Sequence, residues 1–211
     1  MMKQLVIIGA GRFGREVSAY AEESMPDVKV KGFLDSRADV LDGFAGYPPI
    51  IGTVEDYAIG PDDVFVCGVG EVDSRLAYAE AVERRGGRFV SIVHPKAYVG
   101  RNVVIGDGSV IAPGAIISND TVIGRHVVVN SFSLVSHDCR VGDGCVLAPY
   151  STPGSMATLG RCVFMGMKSC MIPGNSLGDD VYVAAGALVT KSYGSGGLLI
   201  GLPATRRERR A

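Results

Sequence analysis

From Val93 to Thr190 the sequence keeps one six-residue pattern in unbroken register. The first position of each hexad is Val, Ile, Leu or Met, with Pro153 the one exception, and the fifth is small or β-branched, from Ala97 and Val103 through Cys139 and Cys145 to Ala187. Every sixth residue does not stay on one face of an α-helix, so a helical reading fails. The repeat instead predicts a parallel β-helix of triangular section. Each hexad supplies a short strand and a corner, its first residue fills the interior, and its fifth packs inward near the bend. Three hexads close a coil, and an eighteen-residue recurrence supports this: Ile105-Gly106-Asp107, Ile123-Gly124-Arg125, Val141-Gly142-Asp143, Leu159-Gly160-Arg161 and Leu177-Gly178-Asp179. Glycine at those corners suggests a backbone turning through positive φ. About five coils at the ~4.8 Å strand spacing make a prism roughly 25 Å long.

The pattern before it is different. Leu5 to Ile8 is a continuous apolar strand that runs into Gly9-Ala10-Gly11-Arg12-Phe13-Gly14 and a helical stretch to about Glu23. Val28 to Leu34 reads as a second strand ending at Asp35, and Asp62 to Cys67 as a third, closing at Gly68-Val69-Gly70. Ser74 to Arg85 reads as a helix with Ser74 as a candidate cap, and Arg88 to Ile92 as a last strand leading into the prism. Strands alternating with helices imply a small parallel sheet. The expected fold is thus an α/β, Rossmann-like parallel sheet over residues 1–92 followed by an all-β parallel β-helix over 93–211.

At 211 residues the chain has room for two modest domains, and a 47% hydrophobic share is ample for a buried core. A net charge of -1 gives no reason to expect nucleic acid. Five cysteines form no CxxC pair, and free thiols in a reducing cytoplasm are the expectation. No apolar run approaches membrane-spanning length, and the apolar start is too short for a signal peptide.

GxGxxG between a strand and a helix is a phosphate-cradling arrangement, in which backbone N–H groups and a helix N-terminus face a pyrophosphate. The same glycines would also serve a turn that only packs helix on strand. Asp35, ending the next strand, stands where an acidic residue commonly takes hydroxyls or a base edge. In the prism, Ser136-His137-Asp138-Cys139 is the candidate for chemistry: His137 is third in its hexad, outside the inward positions, and Asp138 beside it can hold a tautomer or stabilise an imidazolium. A solvated corner histidine without a task is the plainer alternative. His126 reads as a bystander and His94 as structural. The spacing of the three is too wide for a three-histidine zinc site, so no metal is expected.

Gly9-Ala10-Gly11 with Gly14, Phe33-Leu34-Asp35, Val93-His94-Pro95, Asn130, His137-Asp138, Val141-Gly142-Asp143 and Gly201-Leu202-Pro203-Ala204 together resemble the sialic acid O-acetyltransferase family, which includes bacterial nucleotide-amino-sugar N-acetyltransferases. The resemblance covers nearly the whole chain. It implies a left-handed β-helix, an exception to the usual right-handed crossover, a homotrimer, and acetyl-CoA as co-substrate. Carried over by residue, His137 would be the general base and Asp138 its orienting carboxylate, where several relatives have Glu. Gly11, Arg12 and Phe13 would lie against the nucleotide diphosphate, Asp35 with Ser36 against base or ribose, Gly70 in the same substrate site, and Asn130, near His137, against the acceptor sugar. Gly154 and Ser155 would offer a main-chain N–H to the thioester oxyanion. Gly166, Ala184, Ala185 and Gly186 would leave space for the pantetheine arm, and Pro203 and Arg206 would complete the acetyl-CoA site. Arg209 and Arg210 read as a solvated end. Relatives often carry Gly-His where Arg12-Phe13 stand, and Gly where Tyr150 stands, departures that touch the nucleotide and the cofactor's path.

The activity implied is N-acetylation of a nucleotide-linked amino sugar of the 4-amino-4,6-dideoxy type in bacterial surface glycan biosynthesis, since a free sugar would not need the cradle. O-acetylation of sialic acid or another polysaccharide precursor is the nearest alternative. A non-catalytic trimeric scaffold with a nucleotide-sensing domain is the alternative from another class.

Overall fold

The computed structural model describes residues 2–209. It opens with four parallel strands, β1 (Lys3–Ile8), β2 (Val28–Leu34), β3 (Ile50–Gly52) and β4 (Asp63–Cys67), in the order β3-β2-β1-β4. Helix α1 (Arg12–Ser24) follows β1, and α2 (Val72–Arg84) follows β4. The central strand β1 is buried on both sides at Leu5, Val6, Ile7 and Ile8, which is why its sequence is apolar without alternation. The short β3 has only three residues and no periodicity to announce it. Between Arg88 and Ile92 only Phe89 bridges to Phe65, and a regular strand resumes at Ile92–Val93. Ser74 is not the cap of α2: the helix begins at Val72 with Glu71 as its N-cap residue, and the Ser74 hydroxyl donates to the Glu71 carboxylate at 3.4 Å.

The hexads wind as a three-faced prism. The first face stacks Ile92–Val93, Val110–Ile111, Val128–Val129, Val146–Leu147, Phe164–Met165 and Tyr182–Val183 in parallel, each eighteen residues from the last. The second holds Tyr98–Val99, Ile116–Ile117 and Leu134–Val135, then Thr152–Pro153, Cys170–Met171 and Leu188–Val189. The third runs from Val104–Ile105 to Ser176–Leu177. A hairpin of Leu198–Gly201 and Ala204–Arg207 extends the first face and closes the far end, where Leu199 and Ala204 are buried. We call the corner after the first face the first edge, the next the second edge, and the one before the first face the third edge.

From Ile111 to Val189 every first position of the repeat is buried, Pro153 included. Five fifth-position side chains donate one coil onward: Ser109 to the Gly124 carbonyl, Thr121 to Ser136, Ser133 to Ala148, and the thiols of Cys139 and Cys145 to Gly154 and Gly160. These two cysteines are therefore interior donors.

The recurring corner glycines have a different reason from positive φ. The left-handed residue of each hexad is the fourth, as at Asn102, Asp120, Phe132, Asp138 and Tyr150. Gly106, Gly124, Gly142, Gly160 and Gly178 stand at the second position, where a Cβ would lie 2.3 to 2.6 Å from atoms of the next coil. Close stacking of coils requires them.

The sheet unit sits across the first face and the third edge. Val72 packs against Val128 and Val146, with Phe13 and Phe164 beside them. Glu83 bonds both Arg125 and, at 3.0 Å, His126. His126, read from sequence as a bystander, is thus buried at this junction. Arg209 is exposed, as its solvated reading has it, but it also returns to α2, bonding Asp73 at 2.6 and 3.1 Å beneath the Tyr182 ring; Arg210 lies outside the described residues.

Candidate functional site

A cleft of about 670 Å³ opens where β1 meets α1. Gly11, Arg12, Phe13, Asp35, Ser36 and Gly70 all line it. Its glycines have separate tasks. Gly9 has φ 89°, a turn that L side chains rarely adopt; a Cβ on Gly14 would lie 1.9 Å from the Gly9 carbonyl oxygen, so this residue lets α1 pack on the turn. Gly11 is the N-cap residue of α1 and has no side chain to close the cleft. Arg12 is exposed and makes no hydrogen bond or ion pair among the described residues, which leaves its guanidinium available at the cationic end of the helix.

Asp35 is not free to read a ribose or a base. Oδ2 accepts from the Ala10 N–H at 2.9 Å and from Arg37 Nη2 at 2.8 Å, while Oδ1 accepts from the Arg37 N–H at 3.0 Å and Arg37 Nε at 2.9 Å. Burial by itself would raise the carboxyl, but the Arg37 guanidinium and the two backbone donors overcome it and hold its pKa at about 2. The sequence reading assigned this carboxylate to a ligand and overlooked Arg37, whose two-residue spacing from Asp35 was the available signal. Thr53, Glu55, Ser74 and Tyr78 line the same cleft and were also missed.

A second cleft, of about 390 Å³, continues from the first through the shared Arg12, Phe13 and Gly70 onto the first face of the prism. Asn130, Ser131 and Pro149, at the first edge, line it. His137 lines neither cleft. Asn130 follows Val128–Val129 on the first face, whereas His137 follows Leu134–Val135 on the second face, so the two stand on different edges. His137 is on the edge opposite the face that carries the sheet unit. The sequence reading placed Asn130 close to His137; a full side of the prism separates them.

His137 is exposed, at 58%, and its Nδ1 lies 2.7 Å from Asp138 Oδ2. Asp138 is the left-handed fourth residue of its hexad, φ 60°, and this turn brings its carboxylate back to the ring. With Nδ1 engaged, Nε2 is the nitrogen left for a substrate.

The residues assigned to acetyl-CoA divide between edges. Gly154 and Ser155 lie on the second edge, Ser155 one coil beyond His137. The Gly154 N–H donates to the Met171 carbonyl at 2.9 Å and so cannot serve an oxyanion, while the Ser155 N–H has no such partner among the described residues. Gly166 and Ala184 to Gly186 lie on the first edge. A Cβ on Gly166 would lie 2.6 Å from Ala185 N, so this glycine admits the next coil and opens no space for a ligand; Gly186, with nothing within 4 Å, does face open space. Pro203 is in the exposed turn of the closing hairpin. Arg206 is exposed and held at the closing hairpin, its Nη2 donating to the carbonyls of Gly194 and Ser195 with its guanidinium over the Tyr193 ring. Among the described residues no three His, Cys, Asp or Glu side chains cluster as metal ligands.

Comparison with known proteins matches residues 4–82 to the PglD N-terminal domain and residues 120–152 to the bacterial transferase hexapeptide (six repeats). A curated relative, UDP-N-acetylbacillosamine N-acetyltransferase of Bacillus subtilis, is 28% identical over 113 residues, 52% of this chain and about half, 51%, of the relative. The acetyltransferase domain of PglB from Neisseria gonorrhoeae, solved with acetyl coenzyme A, superposes with a TM-score of 0.90 at 25% identity over 98% of this chain and 100% of that one. PerB from Caulobacter crescentus, solved with CoA and GDP-perosamine, superposes at 0.87 and 26% identity over 98% of each. The chain thus pairs a match to the PglD N-terminal domain with a match to the transferase hexapeptide, and its fold is similar to that of these acetyltransferases along nearly its whole length.

Proposed function

We propose that the protein is an acetyl-CoA-dependent N-acetyltransferase acting on the amine of a nucleotide-linked 4-amino-4,6-dideoxy sugar for surface glycan biosynthesis. The observation that carries this reading is the continuity of the two clefts. A phosphate-cradling turn opens through Arg12, Phe13 and Gly70 onto the prism beside Asn130, a length that suits a nucleotide at one end and its sugar at the other. The relatives solved with acetyl-CoA and with GDP-perosamine bind ligands of these two kinds.

The sugar end and the imidazole lie on different edges of one chain, so the site is completed by a neighbouring copy. The second face joins those edges. Turning it toward a three-fold axis sets the first edge of each chain against the second edge of the next. That face presents Tyr98, Ile116, Leu134 and Leu188 outward, Tyr98 at 60% and Ile116 at 41% exposure, apolar surface that a partner would cover. A homotrimer follows, with acetyl-CoA in the groove between subunits near Ser155 of one chain and Ala184, Ala185 and Gly186 of the other.

In that groove His137 Nε2 takes the proton of the acceptor amine as the nitrogen bonds to the acetyl carbon; the carbon–sulfur bond then breaks, and the imidazolium protonates the departing CoA thiolate. The Asp138 carboxylate at 2.7 Å stabilises the imidazolium. The Ser155 N–H is placed to meet the oxyanion. The five cysteines are all unpaired, in keeping with a cytoplasmic site of action.

Mass spectrometry of products formed from acetyl-CoA and a panel of UDP-, GDP- and dTDP-linked 4-amino sugars tests the reading. An acetamido product from wild type, absent with His137→Ala, is expected. An O-acetyl product would move the acceptor to a hydroxyl, and unchanged turnover by the variant would remove His137 from the chemistry.

A further inference from the structure

The first cleft holds a cation that neither the glycine motif nor the family match assigns, and its tether defines what it is for. Arg37 is 61% exposed, yet its guanidinium is fixed by two hydrogen bonds, at 2.9 and 2.8 Å, to a carboxylate that is itself only 6% exposed. A carboxylate offers about four acceptor positions. Ala10 and Arg37 together fill all four on Asp35. The Arg37 Nη2 also lies 3.7 Å from where a Cβ of Gly11 would be, which places the guanidinium over the N-terminus of α1. Nη1 and one Nη2 hydrogen remain without partners among the described residues.

Resting on the nucleotide-sugar reading above, we infer that Arg37 clamps the diphosphate of the substrate against the first turn of α1, and that Asp35 is a positioning residue acting through Arg37. Gly11 and Arg12, at the start of that turn, line the cleft together with Arg37. A planar guanidinium with two free donor directions suits bidentate contact with phosphate oxygens. The Asp35 bond from Ala10 ties this cation to the cradle turn, so the anion site is assembled before substrate arrives. Gly11 has no side chain to stand between Arg37 and the helix.

Calorimetric titration of the intact protein with UDP and GDP, followed by competition with inorganic pyrophosphate, tests the clamp without any acetyl transfer. Arg37→Met is expected to weaken the tighter nucleoside diphosphate by about tenfold or more, the scale of a lost charge-assisted pair, and to weaken pyrophosphate competition equally. Arg37→Lys should recover little, because an ammonium cannot keep the fork on Asp35. Asp35→Asn should weaken binding, and the Asp35→Asn/Arg37→Met double variant should be no weaker than Arg37→Met alone. Additive losses would return Asp35 to direct ligand contact and overturn the positioning role. Unchanged pyrophosphate competition in Arg37→Met would overturn the clamp. If wild type binds neither nucleotide, the nucleotide-sugar reading itself fails, a result distinct from either.

Discussion

Arg75 Nε donates to the carbonyl oxygen of His126 at 2.8 Å, joining the second helix to a corner of the prism. Its Nη1 bonds the carbonyls of Cys67 and Val69, in the turn that borders the first cleft, at 2.7 and 2.9 Å. The guanidinium is fully buried, no carboxylate touches it, and Nη2 has no partner among the described residues. Burial lowers its affinity for its proton, yet the three carbonyls would be left unsatisfied without it. Arg75→Met fills much of the space and supplies no donor. A loss of about 2 to 4 kcal/mol is expected, read as a melting temperature lower by roughly 4 to 16 °C. An unchanged melting curve would mean that those carbonyls find other donors.

The prism was legible because its rule is periodic: Ile123, Val141 and Leu159 are buried for the reason their spacing suggests. The divided site was less so. Asn130 and His137 are seven residues apart, and proximity in sequence concealed that a strand and an edge intervene. Asp35 was recognisable as special, but which partner its carboxylate takes is a matter of side-chain direction after the strand ends, and Arg37 carries no periodic signal. In the basic tail Arg206 reads as a cofactor contact and Arg209 as a solvated end; the hairpin that turns one to Gly194 and the passage that brings the other to Asp73 are long-range contacts that no local pattern encodes.

His126 should make stability sensitive to mild acid. Burial lowers its pKa, and the nearby charges of Arg125 and Arg75 add to this against the opposing pull of Glu83 at 3.0 Å. The unfolded chain, with an ordinary imidazole near pH 6.5, therefore binds the proton first. Stability from this group is complete above that value and declines as pH falls below it. Urea midpoints at pH 7.5 and 5.5 should separate more for wild type than for His126→Asn. Equal separations would show that the ring protonates as easily folded as unfolded.

The apolar second face gives a test of assembly that leaves the clefts untouched. Ile116 points outward there, while the third face presents Val104 and Val122 and then Arg140, Thr158 and Ser176 at its outward positions. Ile116→Glu would bury a charge in the proposed contact, and Thr158→Glu would only add one to an open surface. Light scattering should report a smaller species for the first at micromolar concentration and the wild-type mass for the second. Trimers in both would move the contact to another face.

Shared sites predict recovery of activity from two inactive parents. In the proposed trimer each site takes one edge from each of two neighbours, so His137→Ala would remove the proposed base from the second edge and Asn130→Ala the proposed sugar contact from the first. A homogeneous trimer of either variant lacks one element at every site. Random mixed trimers contain sites in which the edge bearing intact His137 meets the edge bearing intact Asn130, and with equal amounts of the two chains about a quarter of all sites are whole. Unfolding and refolding the variants together should restore roughly that fraction of wild-type turnover, whereas mixing them without exchange should restore none. If the imidazole and the asparagine of one chain worked together, every mixed assembly would stay as inactive as its parents.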